Sequence, residues 1–164
     1  MKAACRPGGA HGEKREPLDK QVQQVLEEAR TVLPGIQALF GFQLIVVFHP
    51  TFGSLDRLVK GVHLAALLGL ALAMALIMTP AAYHRLVERG KVSEHFATLA
   101  SRFVAAAMPP LMLAIVLDVL LVASMVLGSL AWSLAIAGAV LAVFGWLWLA
   151  WPLRDRRRRP HSEA

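Results

Sequence analysis

The stretch FVAAAMPPLMLAIVLDVLLVASMVL (Phe103–Leu127) is apolar almost throughout and carries one carboxylate, Asp118. A helix needs roughly 20 predominantly apolar residues to cross about 30 Å of hydrocarbon, so this stretch reads as a membrane span. Outward from it lie three more. TVLPGIQALFGFQLIVVF (Thr31–Phe48) and the run Leu58–Thr79 precede it, and Leu130–Leu153 follows. Hydrophobic residues make up 57% of the chain, well above the roughly 45–50% of soluble domains, and no soluble fold could hide that much apolar surface. The predicted fold is an all-α bundle of four transmembrane helices.

The flanking segments are read from pattern. Residues 1–17 are rich in Gly and charge with no apolar period and are expected to be disordered. In 18–30, Leu18, Val22, Val25, Leu26 and Ala29 recur on one helical face that continues to Val32 and Leu33, which predicts a cytoplasmic amphipathic N-terminal helix. It is a solvated lead-in, lies on the lipid surface, or pairs with a copy of itself. The membrane domain is 31–153, with spans at about 31–48, 58–79, 103–127 and 130–153, and 154–164 is a basic tail. Pro34 is placed near the first turn, where no N–H is missed. Pro80 marks a boundary before Tyr83, His84 and Arg85, and Pro109-Pro110 should kink or restart the third span.

Charge sets the expected orientation. Fifteen of the 17 Lys and Arg residues fall in the N-terminal segment, the linker between spans two and three, or the tail, whereas only Arg57 and Lys60, at the start of span two, fall on the other side. By the positive-inside rule both termini and the middle linker are cytoplasmic. The net charge of +6 is thereby explained by topology, and without interleaved aromatics it does not indicate nucleic acid. The tail arginines Arg154, Arg156, Arg157, Arg158 and Arg159, with Trp148 and Trp151, are expected to anchor the chain at the bilayer surface and its anionic headgroups. Cys5 is the single cysteine, which excludes an intramolecular disulfide and paired-thiol chemistry.

Two features inside the spans call for explanation. In span two, Gly61, Ala65, Gly69 and Ala73 repeat every four residues, with a shorter version at Gly138 and Ala142 in span four; small residues permit close helix approach. Asp118 is penalised by roughly 2.5–3.5 kcal/mol at a helix centre and needs protonation, a partner or water. At about 1.5 Å per residue, Asp118 lies in the outer third of the bilayer, at a depth similar to His63 in span two and Gln43 in span one, with His49 at the outer rim. This permits a polar site open to the outside in which Asp118 titrates, His63 shares its proton and Gln43 supplies an amide; the other reading is structural, with Asp118 protonated or hydrogen-bonded and His63 reaching toward the headgroups. His63 points nearly opposite Gly61, so the small-residue stripe and the polar site must face different neighbours; a stripe packed on span three would break the cluster.

No metal is expected, because the histidines lack ligand spacing, and no haem or other cofactor. Phosphate-binding glycine loops and nucleophile elbows are absent from the sequence, which argues against an enzyme.

LPGIQALFGFQLIVVF (Leu33–Phe48) and TPAAYHRL (Thr79–Leu86) resemble a family of small bacterial four-span membrane proteins known only as a domain of unknown function. The resemblance runs from about Glu27 to Leu153 and implies a bacterial inner-membrane location, with no activity or catalytic residue to carry over. The sequence therefore leads to a non-enzymatic accessory or interaction protein, whose partner is a membrane protein or a second copy of the chain. The alternative is a small oligomeric proton-linked transporter or channel using Asp118 with His63.

Overall fold

The computed structural model describes residues 18–87 and 94–158. The expected disordered N-terminus with Cys5, the middle of the linker, Arg159 and the rest of the tail lie outside the described residues, as do the side chains of Arg156, Arg157 and Arg158. The architecture is all helical: α1 (Leu18–Val47), a 3-10 turn (Pro50–Ser54), α2 (Arg57–Leu86), α3 (Glu94–Leu127) and α4 (Leu130–Gly145). One turn of π-helix (Trp146–Ala150) then leads into α5 (Trp151–Arg158). Four helical segments are long and apolar enough to cross a membrane, the last running from α4 through the π-turn into α5.

The core follows a seven-residue rule. On α2 the buried positions are His63, Ala66, Leu70, Ala73, Ile77 and Pro80, in alternating steps of three and four. Along α3, Ala97, Ala100, Ala107, Leu111, Ala114 and Leu121 keep the same series, and Asp118 falls on it. On α1, Val22, Ile36 and Gln43 are buried and share a spacing of seven or its double. A 3.5-residue average keeps one seam of each helix turned to its neighbours, as in coiled coils. The three seams meet in a cluster of Ile36, Leu70, Ala73, Ile77, Ala107, Leu111 and Ala114.

Helix α3 touches all the other long helices, and α4 packs on α3 through buried Ser133 and Ala137. Gly128, at φ 60° in the left-handed region that glycine tolerates, ends α3, and its N–H bonds the Ser124 carbonyl at 3.1 Å. The chain therefore reverses within two residues.

Several expected boundaries move. The amphipathic segment is no separate helix: it is the first part of α1, and Val22 packs with Phe96, Ala97 and Ala100 of α3, flanked by Val25, Leu26 and Tyr83. Part of its apolar face is thus covered within the chain, with Val22 buried and Val25 and Leu26 half-buried. At about 1.5 Å per residue the 34 residues of α3 measure about 51 Å, so roughly 20 Å stands beyond a 30 Å hydrocarbon layer. Prolines do not end helices here. Pro34 lies well inside α1, Pro80 is buried inside α2, and α3 runs through Pro109 and Pro110 without a restart. Neighbouring helices hold these segments against the loss of single backbone bonds.

The small-residue stripe divides. Gly69 meets α3 closely: a Cβ there would lie 3.2 Å from Ala114 Cβ and 3.2 Å from the Pro110 carbonyl oxygen, and Ala73 is buried beside it. Gly61 and Ala65 are exposed, and nothing lies within 4 Å of a Cβ at Gly61. Four-residue steps advance about 40° beyond a full turn each, so a strict repeat of four walks off a seam of period 3.5. Gly138 and Ala142 are likewise exposed, with open space at Gly138. We expect Gly69→Val to destabilise the purified protein by about 1–3 kcal/mol through overpacking, and Gly61→Ala to stay within about 0.5 kcal/mol. Unfolding in detergent, followed by circular dichroism, checks the contrast.

Candidate functional site

The polar residues gather at the end of the seam that carries the short loops. Gln43 stands one turn before the end of α1, His63 two turns into α2 and Asp118 in the last third of α3, all on seam positions. The Gln43 side-chain Nε2 donates to both oxygens of the Asp118 carboxylate, at 2.6 Å and 2.7 Å. His63 Nε2 lies 3.1 Å from the main-chain carbonyl of Gln43; since a carbonyl only accepts, this nitrogen carries a hydrogen. Three helices are thereby joined through one residue of α1. Gln43 and His63 are each 6% exposed, and Asp118 is half-buried.

One atom of this cluster is left over. Gln43 Oε1 is buried and has no hydrogen-bond partner. An unmet buried acceptor costs about 1–3 kcal/mol, and such atoms are uncommon enough to call for a reason.

The loop closes the cluster from its own side. Phe52, in the 3-10 turn, sets its ring edge-on to His63 with centroids 5.4 Å apart. Lys60 Nζ donates to the Gly53 carbonyl at 2.7 Å and lies 6.0 Å from the Phe52 ring centroid, which holds the turn on α2. His49 does not join the buried group. It is exposed and caps the 3-10 turn, with Nδ1 2.6 Å from Thr51 Oγ1 and accepting from the Thr51 N–H at 3.4 Å.

The structure therefore brings Gln43, His63 and Asp118 together and leaves His49 at the rim. The expected geometry changes in two respects. Gly69 packs on α3 and the cluster forms all the same, because the stripe leaves the seam before it reaches Gly61. No direct bond joins His63 to Asp118; the imidazole is engaged by the Gln43 main chain. From the sequence, Phe52 is not singled out and Lys60 counts only toward orientation. The signal for Phe52 is a phenylalanine among the turn-forming residues Pro50, Thr51, Gly53 and Ser54.

At the other end, Trp148 turns inward and packs on the three-helix core, while Trp151 is 61% exposed beside Trp146, Arg154 and Asp155. The π-turn adds a residue to the helical ladder, which shifts these aromatics around the axis. Among the described residues, no three His, Cys, Asp or Glu side chains converge as metal ligands would.

A family model described as a family of unknown function (DUF6328) matches residues 11–152, and the chain belongs to that family. No curated protein and no solved structure matches the chain.

The cluster makes a stability prediction. Gln43→Met leaves a carboxylate in the seam without its donor, so it should cost more than the pair Gln43→Met with Asp118→Leu. The coupling expected from a double-mutant cycle is about 0.6–2 kcal/mol, read from unfolding in bicelles.

Proposed function

We propose that this member of the family of unknown function is a non-enzymatic protein of the bacterial inner membrane that acts by binding other proteins at its basic end. The observation that carries this reading is the folded extension there: Val22 of α1, Phe96, Ala97 and Ala100 of α3 and Tyr83 of α2 form a core of their own beyond the main cluster. Tyr83 stacks on Phe96 at 6.0 Å, and His84 lies 5.3 Å from the same ring. A solvated lead-in would need no such core; an ordered platform above the bilayer suits a docking role. The Lys and Arg distribution supports placing this end, both termini and the linker in the cytoplasm. The lipid bilayer, with anionic headgroups at the arginine tail and at Trp151, completes the proposed surroundings. The open small-residue faces at Gly61, Ala65, Gly138 and Ala142 suit a membrane-protein partner or a second copy.

The test leaves the core intact. Gln24, Glu27 and Glu28 are exposed on α1, so their replacement by lysine changes the surface and spares Val22 and Leu26. In vivo crosslinking is expected to capture a reproducible protein partner that these changes, or removal of the chain beyond Leu153, weaken by tenfold or more. A partner set unchanged by both would overturn the reading.

A second reading is favoured by the meeting of Gln43, His63 and Asp118 on three helices: a proton-linked transporter, in oligomeric form, using Asp118 with His63. In that case proteoliposomes show pH-dependent flux that Asp118→Asn abolishes, and absence of flux at every pH rejects it.

A further inference from the structure

We propose that Asp118 and Gln43 together form a binding site for one proton, held as an acid–amide pair, and that the bond between them in this structure belongs to the empty, ionised site. The argument starts from what the two groups can offer. An ionised carboxylate has only acceptors, so a facing amide must present its NH2 and turn its own oxygen away. A protonated carboxyl group has one donor and one acceptor, as the amide does. The two then close a ring, with N–H to one carboxyl oxygen and O–H from the other to the amide oxygen.

The observed geometry is that of the ionised form. A single nitrogen serves both Asp118 oxygens, at 2.6 Å and 2.7 Å, and Gln43 Oε1 is turned into the packed interior without a donor. Taking up a proton at Asp118 would convert –COO⁻ and H⁺ to –COOH, with no other bond made or broken. Adjustment of the Gln43 side-chain torsions, the last of which is soft and broad, then brings Oε1 to the new O–H while the N–H keeps one carboxyl oxygen. The site gains a partner for its one unmet atom, and no helix has to move.

The other ionisable groups at this end are engaged elsewhere or exposed. On α2 the ionisable side chains at this end are Arg57, Lys60 and His63, with Asp56 as the N-cap; Asp56 and Arg57 are exposed. His63 Nε2–H is taken by the Gln43 carbonyl, and Lys60 is turned to the Gly53 carbonyl and Phe52. His49, before the 3-10 turn, is exposed and bound to Thr51. Helix α4 contains no ionisable residue, and on α3 Asp118 is the only one from Phe103 to Leu127. The role of His63 is to fix the Gln43 main chain so that only its amide end is free to turn. Phe52 packs edge-on against His63 from the loop side. The inference needs no flux, so it can hold where the transport reading or the docking reading fails.

The experiment is infrared difference spectroscopy on the full chain in lipid nanodiscs, titrated in pH. On acidification a protonated-carboxyl C=O band should appear that Asp118→Asn removes. In Gln43→Leu the band should move to higher wavenumber, because the acid has lost its acceptor, while His63→Gln should leave its position unchanged. In wild type, the side-chain amide signal of Gln43, observed by nitrogen NMR with glutamine labelling, should shift with the same midpoint as the band. Should the leucine variant fail to fold, Gln43→Asn and this wild-type amide signal carry the test. The proposal is overturned if no band depends on Asp118 at any pH at which the protein stays folded. It is equally overturned if the band follows His63 and ignores Gln43, or if the Gln43 amide does not respond.

Discussion

The seven-residue seam shared by α1, α2 and α3 is the constraint from which the rest of the structure follows. In lipid there is little hydrophobic gain from bringing helices together, so association rests on close packing and on bonds between polar side chains. The seam supplies both. Its middle is small and apolar, with Gly69 against Ala114 and the Pro110 carbonyl, and its loop end is polar. Shifting one helix by a residue would turn Gln43, His63 or Asp118 out toward lipid, so the polar layer fixes the register that the alanines alone would leave loose. A single polar residue in a coiled-coil seam fixes register in the same way, at some cost in stability.

That layer also shows why the carboxylate can be carried at all. Removing Asp118 from water is costly, and the cost is offset only if its oxygens find donors. Gln43 meets both with one nitrogen and is itself tied by its main chain to His63. The amide oxygen is what this arrangement leaves unmet. Two helices could not have satisfied the site. The third is required because Gln43 must be bonded at its side chain by α3 and at its backbone by α2.

The four apolar stretches were legible because length and hydropathy decide them, and so was the common depth of Gln43, His63 and Asp118, because helical rise is constant. Rotation was harder to read. The repeat at Gly61, Ala65, Gly69 and Ala73 drew attention to a four-residue period, whereas the seam has period 3.5 and admits only Gly69 and Ala73. The better signal was the series Val22, Ala29, Ile36 and Gln43, seven residues apart, which crosses the boundary drawn between lead-in helix and first span. Composition changes at that boundary and the fold does not, because α3 is long enough to cover part of the apolar face of α1 beyond the bilayer. The prolines misled for a related reason: Pro80 and Pro110 break local hydrogen bonding, but here they sit where packing on the neighbouring helix outweighs the loss.

Helix α4 differs from the other three in how it is held. Its buried contacts are small, Ser133 and Ala137, and it rests on α3 while α1 to α3 enclose one another. The stronger tie is distal, where the π-turn swings Trp148 onto the core near Ile77, Ala107 and Leu111. Helix α4 is thus held along its length by small side chains on α3 and at one end by a large aromatic, while the three-helix seam cannot slip without exposing charge. The polar layer therefore fixes the register of α1 to α3, and α4 is positioned on that frame by α3 alone along most of its length.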